Sequence, residues 1–264
     1  MYSTMDLRSE LAFAFEPAEL AASISLPRFT QRDYSTETKP DGSPLTEVDR
    51  AVEDALRQRV ASRRPGHMVM GEEGGRSGSV ARDWCWYLDP IDGTTRFING
   101  DPKWMTLIAL ANHDEVVVGV VDRPALSERW WASRGSGAFC NGQRLAVSTT
   151  SRLADSVICD DWRQHIAAGT TDHPLVRVAG HCAQVRPHQG HASLAVACGQ
   201  ADIAISTGSH PWDYAAPKII VQEAGGRHTD FAGGPRIDNL QAVVTNGHIH
   251  EEALAVLNQQ QRGT

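Results

Sequence analysis

Asp89 and Asp92 are separated by Pro90 and Ile91 and followed by Gly93-Thr94. Proline fixes one φ angle and removes a donor, while glycine lets the backbone approach a ligand closely, so such a run can hold two carboxylates near each other. Two carboxylates about 4 Å apart repel by roughly 4 kcal/mol at an effective dielectric of ~20, so a site gathering several must take up protons or a cation. Hard oxygen donors select magnesium, manganese or calcium over zinc. Thr94 to Ile98 can open a short helix whose first N–H groups, near Gly93 and Thr94, would face an anion. Carboxylates for a metal on one side of a turn and donors for phosphate on the other make a phosphoryl-handling site. Taken alone, the run is equally consistent with an acidic surface turn.

These groups must be held by regular elements. A second acidic turn, Gly71-Glu72-Glu73-Gly74-Gly75, follows a strand predicted at 67–70, and Asp89 follows one predicted at 84–88, so two strands end in acidic turns. Thr46 can cap a helix with Glu47 and Asp49 in its first turn. Val48, Ala51, Val52, Ala55, Leu56 and Val60 recur there at helical spacing, and Pro65-Gly66 stops it. Asp49 could simply complement the helix dipole. Residues 7–24 are predicted to form a helix that Pro17 breaks or restarts, and 32–44 a polar, turn-rich stretch. Strands at 105–111 and 115–121 flank Asn112-His113-Asp114 as a hairpin, and one at 129–132 leads to the turn Asn141-Gly142. The first domain, 1–146, is therefore α+β with an antiparallel sheet and carries most acidic candidates. In the second, 147–264, strands at 156–159 and 201–206 alternate with helices at 191–198 and 213–224. The last helix starts at Asp213, has Pro217 near its first turn and stops at Gly225-Gly226.

The 264 residues carry 25 basic and 32 acidic side chains, net −7, so no overall field gathers nucleic acid or an anionic membrane. No stretch has the character of a signal peptide or a membrane span. Five scattered cysteines without a C-x-x-C pair argue against a disulfide framework and a zinc knuckle, and fit a reducing cytoplasm. His181, His188 and His191 match no regular metal-ligand spacing and are taken as surface or pocket histidines. Trp84, Trp86, Trp130 and Trp131 are taken as packed strand residues. Gly135 and Gly137 lack the third glycine of a dinucleotide fingerprint, and no G-x-S-x-G elbow occurs.

Three separated motifs appear in order: Gly71-Glu72-Glu73, then Trp86-Tyr87-Leu88-Asp89-Pro90-Ile91-Asp92-Gly93-Thr94, and Pro211-Trp212-Asp213 leading to Glu223-Ala224-Gly225-Gly226. On these the chain resembles the inositol monophosphatase superfamily of magnesium-dependent, lithium-sensitive phosphatases. With Lys39-Pro40-Asp41-Gly42-Ser43-Pro44 and Thr46-Glu47-Val48-Asp49, the resemblance covers nearly all of 35–250. It implies a layered αβαβα fold and a homodimer. It also implies that Glu72, Asp89 and the Ile91 carbonyl hold a first Mg2+, and that Asp89, Asp92 and Asp213 hold a second. A third, weaker ion would sit near Glu72, and Mn2+ is a substitute. Asp49 and Thr94 match positions that orient the attacking water, with Glu72 completing the catalytic set. The Gly93 and Thr94 N–H groups match those that hold phosphate. Lys39 matches a lysine that balances charge, or is an ordinary loop lysine; Glu73 is expected to be a solvated neighbour of Glu72.

The scaffold stretches Asp122-Arg123-Pro124-Ala125, Glu128-Arg129-Trp130-Trp131-Ala132 and Trp104-Met105-Thr106-Leu107-Ile108-Ala109-Leu110 are most similar to the histidinol-phosphate phosphatase branch. The positions that read the substrate depart from it. Gly190-His191-Ala192-Ser193 stands where that branch has Gly-Asp and aromatics, and Ser206 where both it and the inositol enzymes carry a glutamate. A cationic amino alcohol would lose charge-assisted bonds there. The expected substrates are histidinol phosphate or an inositol, cyclitol or sugar phosphate, with Gly190, His191, Ala192 and Ser206 lining the site. The alternatives are a 3′-phosphonucleotide phosphatase and a non-catalytic phosphometabolite-binding protein; the complete acidic set argues against the latter.

Overall fold

The structure is a computed structural model that describes residues 6–78, 84–160, 173–187 and 190–259. Asp6 opens helix α1 (Leu7–Gln31) by accepting the Arg8 N–H at 3.1 Å. This helix runs unbroken for 25 residues through Pro17 and Pro27, correcting the predicted break. A proline in a helix interior costs about 3 kcal/mol, and burial offsets it. Phe13, Ala14, Pro17, Ala18 and Ala21 form a buried stripe, Phe13 meeting Trp86 edge-on at 5.3 Å; burying one such aromatic contributes about 1.5–3 kcal/mol. Packing thus overrides local propensity.

The stretch 32–44 contains a short hairpin, β1 (Thr36–Thr38) and β2 (Pro44–Thr46), which the sequence pattern did not reveal. Thr46 then caps α2 (Glu47–Arg63) in a full capping box with Asp49. The next strands are β3 (Met68–Gly71), β4 (Gly75–Ser77), β5 (Trp84–Asp92), β6 (Met105–Asn112), β7 (Glu115–Arg123), β8 (Glu128–Ser133), β9 (Gly137–Cys140) and β10 (Gln143–Arg144). They form one eight-stranded sheet in the order β10-β9-β8-β7-β6-β5-β3-β4. Its pairs are antiparallel except β3 with β5, which run parallel. A short helix, α3 (Thr94–Asn99), follows β5.

The second sheet is built from β11 (Val157–Asp160), β12 (Gln184–Pro187), β13 (Ile203–Thr207), β14 (Arg227–Thr229) and β15 (Gln241–Thr245), in the order β12-β11-β13-β15-β14. Its helices are α4 (Pro174–Ala179), α5 (Ala192–Ala197), α6 (Pro211–Glu223) and α7 (His250–Asn258). Helices α1 and α2 cover one face of the first sheet through Phe13, Val52, Leu56, Trp86 and Ile108. Helices α5 and α6 fill the space between the sheets with Leu107, Leu194, Ile219, Ile220 and Val244. Helices α4 and α7 cover the outer face of the second sheet with Leu175, Ile203, Val243 and Leu254. Neighbouring Leu107 and Ile108 enter different layers, as strand alternation requires. The layers are αβαβα, as the resemblance implies. Among the elements absent from the sequence reading are β12, β14, β15, α4 and α7, all short.

Helix α6 presses directly on β7 at Gly119, where an added Cβ would lie 2.5 Å from Ile219 Cγ2 and 2.8 Å from the Ala216 carbonyl. Gly119→Ala is expected to lower unfolding free energy in urea by about 1–3 kcal/mol. His228, in β14, is 2% exposed, and neither ring nitrogen has a hydrogen-bond partner. Burial, then the Lys218 charge, push its pKa down to about 3 from 6.5. The unfolded chain therefore takes up the proton first, so stability is complete above about pH 6.5 and falls as pH descends toward 3. At pH 5 the loss is about 2 kcal/mol. In urea titrations at pH 7.5 and 5.0, the native chain should lose about 2 kcal/mol more stability than His228→Phe between the two pH values, other titrating groups being common to both.

Candidate active site

The parallel pairing of β3 and β5 sets the site. Gly71 stands opposite Leu88, so the turn after β3 lies beside Asp89, and the Glu72 N–H donates to the Leu88 carbonyl at 3.2 Å. The Asp89–Asp92 run is not a turn beyond a strand ending at 88 but the bulged end of β5. Asp89 pairs with Leu107 and Asp92 with Met105, so Pro90 and Ile91 oppose Thr106 alone. Proline offers no N–H to the ladder; the Thr106 hydroxyl donates to the Pro90 carbonyl at 2.8 Å. Gly93, at φ +83°, then turns the chain into α3.

Asp213 arrives from the other half of the chain. Helix α6 starts at Pro211, two residues before the predicted start, so Asp213 is the third helical residue and accepts the His210 N–H at 2.6 Å. Pro217 consequently lies in the helix interior and removes the N–H that would meet the Asp213 carbonyl.

The electrostatics show how closely these groups gather. Asp89 is 2% exposed; burial, then the charges of Glu72, Asp92 and Asp213, hold its carboxyl well above the ordinary range. Burial, followed by Asp92, pushes Asp213 up to about 7. Burial raises Glu72 as well, opposed by Lys39. Lys39 Nζ lies 2.7 Å from both Glu72 and Glu73, placed there by the β1–β2 hairpin. Lys39 is thus a charge-balancing residue rather than an ordinary loop lysine. Glu73, expected to be solvated, has a side chain only 10% exposed, and burial pushes it up to about 6.

Among the described residues no three His, Cys, Asp or Glu side chains converge tightly enough to form a ready-made metal cage. The fit to a hard divalent ion rests on donor chemistry: several carboxylates sharing one buried place, and Asp89 Oδ1 buried with no hydrogen-bond partner. Asp49 serves two ends. One oxygen closes the capping box on Thr46, and the other accepts the Thr94 hydroxyl at 3.0 Å. Thr94 Oγ1 also lies 3.2 Å from the Ile91 carbonyl, which ties Asp49, Ile91 and Thr94 into one unit. Burial raises the Asp49 carboxyl against these bonds.

A pocket of about 220 Å³ opens beside the carboxylates, lined by Asp92 and Asp213 and by the expected Gly190, His191, Ala192 and Ser206. It also contains Cys159, Ser209 and Tyr214, which the sequence reading missed. Tyr214 Oη donates to Ser206 Oγ at 3.2 Å, and the Ser206 and Ser209 hydroxyls are 3.0 Å apart. Among the described residues lining it there is no lysine or arginine and no carboxylate besides Asp92 and Asp213. Gly190 adopts φ +128°, and a Cβ there would collide with the Arg123 guanidinium and Met105 Cε. Its carbonyl accepts from Arg96 at 3.0 Å, joining α3 to this wall. The available signals were adjacency: Tyr214 follows Asp213, and Ser209 stands three residues after Ser206. His181 is exposed; His188 lies outside the described residues.

The inositol monophosphatase family model matches residues 6–262. A histidinol-phosphatase of Mycobacterium tuberculosis is 39% identical over 256 residues, 94% of this chain and 98% of that protein. An inositol-1-monophosphatase of Mesorhizobium japonicum is 32% identical, covering 94% and 95% respectively. The crystal structure of the extragenic suppressor protein suhB from Bartonella henselae superposes with a TM-score of 0.83 at 28% identity, covering 95% of this chain and 99% of that one. With its layers, its acidic motifs and nearly all of its length accounted for, the chain belongs to the inositol monophosphatase family.

Proposed function

We propose that this chain hydrolyses a small-molecule phosphate monoester to an alcohol and inorganic phosphate, with Mg2+ as cofactor and water as nucleophile. The observation that carries this reading is that buried Asp89, its Oδ1 without a hydrogen-bond partner, feels the charges of Glu72, Asp92 and Asp213, the last two of which also line the pocket. Glu72, Asp89, the Ile91 carbonyl, Asp92 and Asp213 would hold two to three ions, Mn2+ being a substitute. Bound there, they supply a water of lowered pKa and neutralise charge developing on the leaving oxygen. Thr94, its hydroxyl proton directed to Asp49, keeps a lone pair with which to orient the attacking water. The N–H groups of Gly93 and Thr94 hold phosphate oxygens at the helix start. No covalent nucleophile is required, because phosphoryl transfer asks chiefly for positioning and charge neutralisation.

The pocket supports a neutral, hydroxylated leaving group, such as an inositol, cyclitol or sugar, through the linked hydroxyls of Ser206, Ser209 and Tyr214. The histidinol-phosphatase relative at 39% identity supports histidinol phosphate as the second reading. A homodimer belongs to the same proposal, and sedimentation tests it.

EDTA is expected to abolish phosphate release from a panel of small esters, Mg2+ or Mn2+ to restore it, and lithium to inhibit it. Asp92→Asn should lower kcat/KM by about 100-fold or more while leaving circular dichroism unchanged. Turnover of no ester would favour a binding protein, and selective turnover of 3′-phosphonucleotides the nucleotide alternative. kcat/KM for inositol or sugar phosphates should exceed that for histidinol phosphate by about tenfold or more, the worth of one charge-assisted bond. The reverse ratio would establish the second reading.

A further inference from the structure

The turn carrying Glu72 is gripped by a carboxylate that is not among the ion ligands proposed above. Glu53, on α2, is 1% exposed. Its Oε2 accepts the Glu73 N–H at 2.7 Å, and its Oε1 accepts the Gly74 N–H and Arg57 Nε, each at 2.7 Å. Arg57 continues the grip by donating to the Gly75 carbonyl at 2.5 Å and to Ser77 Oγ at 2.8 Å. The three successive N–H groups of Glu72, Glu73 and Gly74 are therefore all engaged, the first by β5 and the other two by Glu53. Gly71 and Gly74 follow from this closeness, whereas Gly75, at φ +61°, is set by backbone conformation. A Cβ on Gly71 would lie 2.5 Å from Glu53 Oε1, and one on Gly74 2.9 Å from Arg57 Nε.

We propose that Glu53, braced by Arg57, is a positioning residue that fixes the backbone aiming Glu72 at the ion site; this rests on the reading of Glu72 as an ion ligand. Both Glu53 oxygens are occupied and its charge is matched by Arg57, so it contributes to the site through geometry alone. Partners that orient a ligand typically govern metal affinity by about 10–100-fold.

The test is Mn2+ binding to the purified full-length chain without substrate, followed by electron paramagnetic resonance of the free ion. In Glu53→Gln an NH2 group replaces one acceptor and meets a backbone N–H, so Mn2+ affinity should fall about tenfold or more. The Mg2+ concentration for half-maximal rate should rise by a similar factor, with kcat largely recovered at saturation. A merely structural role would lower the melting temperature and leave the affinity of the folded protein unchanged. Gly74→Ala keeps every carboxylate and displaces only the ends of Glu53 and Arg57; its affinity should fall in the same direction, and it decides the matter if Glu53→Gln does not fold. Glu37→Gln, which breaks an exposed pair with Arg50, should leave affinity unchanged. Affinity within twofold of the native chain in the folded variants would overturn the proposal. A native chain that binds no Mn2+ would overturn the reading of the metal centre beneath it.

Discussion

Like charges buried together push apart, and at the end of β5 this repulsion is concentrated on Asp89. At about 4 Å separation each carboxylate pair costs roughly 4 kcal/mol even at an effective dielectric of ~20. The neighbouring Glu72, Asp92 and Asp213 belong to separate supports: the turn after β3, the bulge that Pro90 forces into β5, and the first turn of α6. Each support is anchored by its own backbone hydrogen bonds, so the Cα positions of these acids are fixed by regular structure. Lys39 relieves only the outer acids, Glu72 and Glu73. The repulsion around Asp89 and Asp213 is left to be relieved by protons or by a hard cation.

The pocket follows from the same arrangement. Helix α6 contributes Asp213 and the adjacent Tyr214, so one short segment supplies both an acid and a hydroxyl to the wall. Tyr214 is also packed edge-on against His228 at 5.6 Å, so the position of its hydroxyl is set by the core between the two sheets. Strand β13 supplies Ser206 and the segment before α5 supplies Gly190 and His191. The chemistry of the ester is thereby shared between the halves: the first sheet holds most acids, and the second shapes the space beyond them.

Much of this was legible in the chain. Asp89, Asp92 and Gly93 as a lone run fitted a surface turn equally well, and became legible through their coincidence with Gly71-Glu72-Glu73 and Pro211-Trp212-Asp213. Thr46 and Asp49 announced a helix start because a capping box needs only residues three apart. Pro17 misled, since its local cost is real but is outweighed by burial that depends on Trp86 and its neighbours. Glu73 misled for a related reason: its surroundings are set by Lys39, thirty-four positions away. The small strands β12, β14 and β15 left no pattern, because three to five residues carry no readable alternation.

The amino-acid order by itself determined the acidic turn after β3, the Thr46 cap, the alternating strands and, through the motifs, the family. Those depend on bonds between near neighbours and on which face of an element is apolar. Only the tertiary structure decided that β3 lies parallel to β5, that Asp213 joins Asp89, that Lys39 holds both Glu72 and Glu73, and that Glu53 grips the turn. Such contacts join segments remote along the chain, and their register is selected by how entire layers bury their faces. No local propensity encodes that choice.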